Sequence, residues 1–248
     1  MNTVPNEQNE IEQIQAKVIS LVEAEKKKYG SGKNRATALS AKILKALDDN
    51  EEGDGRLFQE LYRGKFCYDH SEGQWYRFNE SFWVENKVNE AFAAVSKVVE
   101  SYEQETQRQA KIKIEAVTTQ NTAAAQNAEA KEIELLTRIK FLHTEYRRQH
   151  ILTFAAAGDD GLGIEGSQWD VNPMLLGCAN GVIDLKTGML REGQPDDYIK
   201  TASPTEWKGL DTPSPIWEKF LLEVFEGDKE TVSFLQRVFG YAITGKTT

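Results

Sequence analysis

The sequence predicts an α+β protein: mainly helical, with a small aromatic β-meander, a β-hairpin region and a closing helical, collar-like segment. Three observations carry this. Apolar residues recur at three- and four-residue steps over most of the chain. Three aromatic-rich bursts, at 66–68, 75–78 and 82–84, are separated by turn residues. Asn180-Gly181 and Thr187-Gly188 bracket a short apolar run in the manner of tight turns. Strands and helices fall in separate runs, which suits α+β and not a doubly wound sheet.

In order, residues 8–29 read as an amphipathic helix on Ile11, Ile14, Val18, Leu21 and Val22, ending in Lys26, Lys27 and Lys28 before Gly30 and Gly32. A second helix fits 37–47, with Leu39, Ile43, Leu44 and Leu47 on one side, and the acidic, glycine-containing 48–55 is expected as a loop. Leu57, Phe58, Leu61 and Tyr62 suggest a short helix before the meander. Residues 86–156 read as helical throughout, on Val88, Phe92, Val95, Val99 and Tyr102 and then on Ile133, Leu136, Ile139, Leu142 and Tyr146. Between these stripes the Gln- and Ala-rich 103–132 fits a long exposed helix, a helical hairpin or a partly disordered insert. A Gly- and Asp-rich loop at 158–166 follows. Short strands are expected at 182–185 and 189–191, with 198–201 as a third. Ser214 and Pro215 open a helix, Asp228 caps another, and Trp217, Phe220, Leu235 and Phe239 are expected as core. The domain reading is an N-terminal helical region (1–55), a meander with long helices (56–170) and a hairpin with a helical pair (171–248).

The chain has 248 residues, 40% hydrophobic and 28% charged, with a net charge of −9. An isolated duplex-DNA binder is usually basic, because phosphate neutralisation supplies most of its affinity, so any nucleic-acid contact here must come from local patches. No apolar run approaches the roughly 20 residues that span a bilayer, and the polar start lacks a signal peptide's apolar segment; no membrane partner and a cytoplasmic location are expected. Two distant cysteines, Cys67 and Cys178, make no disulfide framework. Cys67 with His70 is a lone C-x-x-H, short of the four ligands of a zinc site, so no metal is expected.

Residues 240–247 fit the phosphate-loop pattern G-x-x-x-x-G-K-[ST] through Gly240, Gly245, Lys246 and Thr247. A working loop follows a buried strand and opens a helix. Leu235, Val238 and Phe239 instead give the lead-in a helical period, so the match reads as incidental, with Gly240 inside a helix that ends at Thr244-Gly245. No catalytic group stands out. His143 and His150 lie seven residues apart in the helical region and read as one surface face. Basic residues cluster at Lys26, Lys27, Lys28, Lys33 and Arg35, and again at Arg138, Lys140, Arg147 and Arg148; these are solvated faces or phosphate contacts. Trp75, Tyr76, Phe78, Phe82 and Trp83 can stack bases or form the core of a small sheet.

The last third of the chain carries three stretches that together resemble one family. These are NPMLL (172–176) followed by ANGVIDLKTG (179–188), PIWEKFL (215–221), and FLQRVFGYAITG (234–245). In order and spacing they are similar to the motifs of phage and plasmid primase–helicases, whose motors are superfamily 3 helicases; poxvirus primase–helicases carry a related domain. GQWYRFNESFW (73–83) resembles an upstream family segment, with Asn79 and Glu80 in place of its usual glycine turn.

The resemblance implies a helicase-associated N-terminal domain without an active site of its own. Asn180, Gly181, Asp184, Thr187, Gly188, Trp217, Arg237, Gly240 and Tyr241 would then be structural positions. It further implies an ATPase beyond residue 248 that uses ATP and magnesium, a ring of subunits, usually a hexamer, and single-stranded or forked DNA as partner. The alternatives are a stand-alone interaction module of a mobile element and a nucleotide-binding protein using 240–247.

Overall fold

The structure is a computed structural model that describes residues 32–246; the expected helix at 8–29, with Lys26, Lys27 and Lys28, and Thr247 lie outside the described residues. It is α+β, mainly helical with two small sheets. The chain divides into two compact units, one holding 32–54 and 99–142 among the described residues, the other 55–98 and 143–246.

The first unit is helical. It takes in α1 (Gly32–Asp48), the start of α2 (Asn50–Tyr62), most of α4 (Ser96–Thr118) and α5 (Thr122–Leu142). Of the expected loop at 48–55, Asp48 ends α1, Asp49 alone is a turn and 50–55 are the first turns of α2. Its acidic residues Glu51 and Glu52 sit in the first turn, where the helix dipole favours them. Gly53 is a packing glycine: a Cβ there would lie 2.0 Å from the Ala46 carbonyl oxygen. A residue that reads as a loop signal is what lets two helix backbones meet.

The Gln- and Ala-rich segment forms a helical hairpin, α4 and α5 joined through 119–121, with Lys113 Nζ paired to Glu132 at 2.5 Å. On α5 the buried positions are Ala128, Leu135 and Leu142, seven residues apart, while Ile133 and Leu136 face outward. The core of this unit also takes Ile43, Leu47, Val99 and Tyr102. Among the described residues its buried side-chain polar atoms all have hydrogen-bond partners. Ser40 Oγ and Gln109 Nε2 donate to Glu105 Oε1 at 2.8 and 2.7 Å, and Tyr102 donates to Asp54 Oδ1 at 2.6 Å. Arg138 donates to the same Asp54 oxygen at 2.8 Å and to the Leu47 and Asn50 carbonyls.

The second unit holds both sheets. The meander β1 (Phe66–Asp69), β2 (Gln74–Phe78) and β3 (Trp83–Glu85) is antiparallel, in the order β3-β2-β1. A further strand, β4 (Gly163–Ile164), lies parallel to β1 inside the segment expected as a loop; two residues are too few for a period to appear. Side chains alternate across a strand. Cys67, Tyr76 and Trp83 therefore share one face with Ile164, covered by Phe78, Trp169 and Tyr198, while Tyr68 and Trp75 lie on the other with Phe58. Glu80 takes the left-handed conformation (φ 78°) where the resembled segment has glycine. Asn79 Oδ1 steadies that turn by accepting from the Ser81 and Phe82 amides. The meander leads into α3 (Glu90–Ala94), and α6 (Glu145–Ala156) packs near it.

The second sheet is β5 (Leu175–Cys178), β6 (Gly181–Asp184) and β7 (Met189–Arg191), antiparallel in that order. The expected third strand at 198–201 is not one. Tyr198 is left-handed (φ 47°), and the Asp170 carboxylate takes the Lys200 and Thr201 amides that a ladder would use. The third partner is β5, hidden in the sequence behind Pro173. Asn180 exchanges two hydrogen bonds of 2.9 Å with the Trp207 backbone. Asp184 Oδ1 accepts from Lys186 N at 2.8 Å, which with Thr187 and Gly188 (φ 71°) closes the β6–β7 turn.

The last helices are α7 (Pro215–Val224) and α8 (Lys229–Ala242), the second capped by Asp228, which accepts from the Glu230 and Thr231 amides. Trp217, Phe220 and Phe239 were expected as core, yet each stays about half exposed, and Leu235 is only partly buried. Trp217 touches Phe220 and Phe239 across the pair, but two helices cover only the seam between them. Leu221 is the buried residue of α7, and α8 has none.

Candidate functional site

A groove of about 540 Å³ lies wholly within the second unit. Tyr68 of β1 and Trp75 of β2 supply two ring surfaces, and Phe92 of α3 a third. Gln74, Asn86, Asn89 and Gln149 add primary amides; His143, Glu145 and Arg148 add the ionisable groups. The groove exists because β1 and β2 turn Tyr68 and Trp75 to the same face, with ring centroids 5.3 Å apart. Phe58 holds Trp75 edge-on at 6.1 Å. Asn86 fixes the exit of the meander: its Oδ1 accepts from Glu90 N at 2.7 Å and its carbonyl from Gln74 Nε2 at 3.3 Å. Asn89, left-handed at φ 55° and exposed, makes no capping bond. From α6, whose N-terminus Thr144 caps, Arg148 lies over the Phe92 ring at 5.8 Å.

On the opposite face of the meander is a charged cluster with a structural role. Asp69 is fully buried and accepts from Trp169 Nε1 (2.7 Å) and from the Ser71 and Glu72 amides. Burial pushes its carboxyl up, but those bonds and the nearby Lys200 ammonium outweigh it and hold the group below the usual carboxylate range. Lys200 pairs with Glu72 and lies over the Tyr76 and Trp169 rings. Burial raises the Cys67 thiol far above its ordinary value. His70 Nε2 donates to the Ala156 carbonyl at 3.0 Å. Cys67 and His70 thus have separate tasks, and no group of three or more metal-ligating side chains occurs among the described residues.

The other expected site residues are dispersed. Arg138 and Lys140 belong to the helical unit, Arg147 and Arg148 to the second. Arg138 is only 12% exposed, and its guanidinium is engaged by Asp54, Asn50 and Leu47, so it ties helices together and does not face solvent. Lys140 is exposed and Arg147 half-buried. His143 stands in the turn before α6 and His150 within it, packed on Tyr146, so they do not share one helix face. Lys33 and Arg35 fall in α1, with side chains outside the described residues. Of the five aromatics weighed for base stacking, Tyr76 and Trp83 are buried and Trp75 lines the groove.

At the phosphate-loop match, Gly240 is inside α8. Three amides that a phosphate cradle would use are already donated: Ile243 N to Phe239 O, Thr244 N to Tyr241 O and Gly245 N to Pro173 O, at 3.0–3.1 Å. Arg237 is exposed and bonds Ser233 Oγ, Tyr241 is exposed, and so is Lys246. No helix among the described residues is long and apolar enough to cross a membrane.

The chain thus combines a helical hairpin, an aromatic meander and a polar groove. The chain belongs to the D5 N-terminal-like family, whose model matches residues 55–226, and so is of the kind found as the N-terminal domain of D5-like primase–helicases. No curated protein matches the chain.

Proposed function

We propose that this chain is the helicase-associated part of a phage- or plasmid-type replication primase–helicase, supporting ring assembly and guiding DNA for a superfamily 3 ATPase of the same parent. The family match carries this reading, because it contains every residue of the groove. ATP and magnesium act at the parent's motor. The contribution here is a non-catalytic surface that meets single-stranded or forked DNA, within a ring that is usually a hexamer. A net charge of −9 makes that contact local and dependent on few phosphates.

Fluorescence anisotropy with a labelled single strand tests the guiding role. Binding should weaken as salt rises, log K falling by about 0.7 per log unit of salt for each phosphate contacted. No binding at low salt, to a strand or a fork, would remove DNA guidance from the proposal.

A further inference from the structure

The groove between the meander and α6 has a composition that specifies its occupant. We infer that it receives one unpaired nucleotide of a single strand, the base lying against the Trp75 side of the groove and the phosphate at Arg148; this rests on the single-strand reading above.

Three properties of the groove point to a base. Its three aromatic walls offer π surface, and two of them are held in place by neighbours: Trp75 by Phe58 and Tyr68, Phe92 by the Arg148 guanidinium above it. Stacking on rings already fixed costs little ordering and suits any base. Trp83 and Trp169 donate their indole N–H groups to Pro195 O and Asp69, whereas the Trp75 indole has no acceptor among the described residues. Asn89 and Gln149 are exposed at the rim, and an amide offers a donor beside an acceptor, the pattern carried by base edges. The volume of about 540 Å³ lies in the range of roughly 300–1,000 Å³ that holds small ligands.

Charge decides between a strand and a free nucleotide. Arg148 is the one guanidinium lining the groove, and Glu145 is a carboxylate beside it. One guanidinium can meet one backbone phosphate, while the Glu145 carboxylate disfavours the several negative charges of a triphosphate. A duplex would bring no base here, since its bases are stacked and paired.

Two oligonucleotides with equal phosphate counts test this on the full chain, one intact and one abasic throughout. The intact strand should bind about five- to 150-fold more tightly, since one stacked base contributes about 1–3 kcal/mol. Gln149→Ala and Trp75→Phe should shrink that ratio, with circular dichroism checking the fold. Arg148→Gln should lower the salt slope by about 0.7. Photo-crosslinking from a bromouracil-bearing strand should land on peptides within 68–92 or 143–152. Equal, salt-sensitive binding of intact and abasic strands would overturn the base site and leave the single-strand reading standing, as would crosslinks only elsewhere. Failure of both strands to bind would overturn both. Competition by free ATP at concentrations that match the strand would overturn the choice of a strand nucleotide.

Discussion

Asp69 shows how one residue can hold a surface in place from behind. It is fully buried, and Trp169 Nε1 and two amides satisfy it, while Tyr68 beside it in β1 faces the groove. Its folded carboxyl titrates below its unfolded value of about 3.9. The stability it supplies is therefore complete above that value and is lost as pH falls through the lower, folded one. Thermal melts from pH 7 to pH 3 should show the wild type losing stability more steeply than Asp69→Asn, which has no charge to lose. Asp69→Ala should cost about 2 kcal/mol or more at neutral pH, from stranded donors. None of this was visible in the sequence, where Asp69 is one acidic residue beside a turn; its burial depends on Trp169, 100 positions away. The turn at Asp184 and Gly188 was legible, because these residues act through bonds and torsions close to them in the chain, whereas the bonds Asn180 makes to Trp207 were not.

At the scale of elements, long periodic stretches were readable and short or glycine-bearing ones were not. The meander's three strands declared themselves through aromatics, and α7 and α8 through Pro215 and Asp228. β4 has two residues, and β5 lies between a proline and a glycine-containing turn, so neither shows a period. The start of α2 was obscured by Gly53, whose absent side chain admits the Ala46 carbonyl. Gly53→Ala should raise helix propensity yet lower stability by about 1–3 kcal/mol, the usual cost of overpacking, as measured by denaturant melts. A loop at that position would predict no loss. Arg138 joins α5 to α2 through the buried Asp54. Arg138→Ala should cost about 3–5 kcal/mol, because the buried Asp54 would lose the cation paired with it. A loss below about 1 kcal/mol would return Arg138 to the surface cations expected to meet phosphate.

At the scale of the whole chain, composition limited the possibilities and tertiary placement chose among them. A net charge of −9 argued against a broad phosphate-binding face. What the sequence grouped as one basic cluster, Arg138 to Arg148, is divided between two units. The groove draws on 68 to 92 and on 143 to 152. Trp75 and Arg148 were each noticed, for stacking and for phosphate, but no spacing rule joins residues so far apart. The aromatics of α7 and α8 were assigned to a core by period alone, and period tells which residues share a face, not what lies against it.

The parallel pairing of β1 with β4 has a consequence for how the chain reaches this state. Ser71 Oγ accepts from Gly166 N beside that pairing, across 95 residues of sequence. Those intervening residues include the whole α4–α5 hairpin, whose two arms meet each other over a short stretch of chain, as in the Lys113–Glu132 pair. Helical hairpins form early because little chain must be closed, and distant strand pairs form late because closure entropy precedes their reward. Assembly therefore runs from the inserted hairpin outward. The four-stranded sheet is sealed near the end, and the groove, which needs both β2 and α6, comes into being only when that circuit of chain has closed.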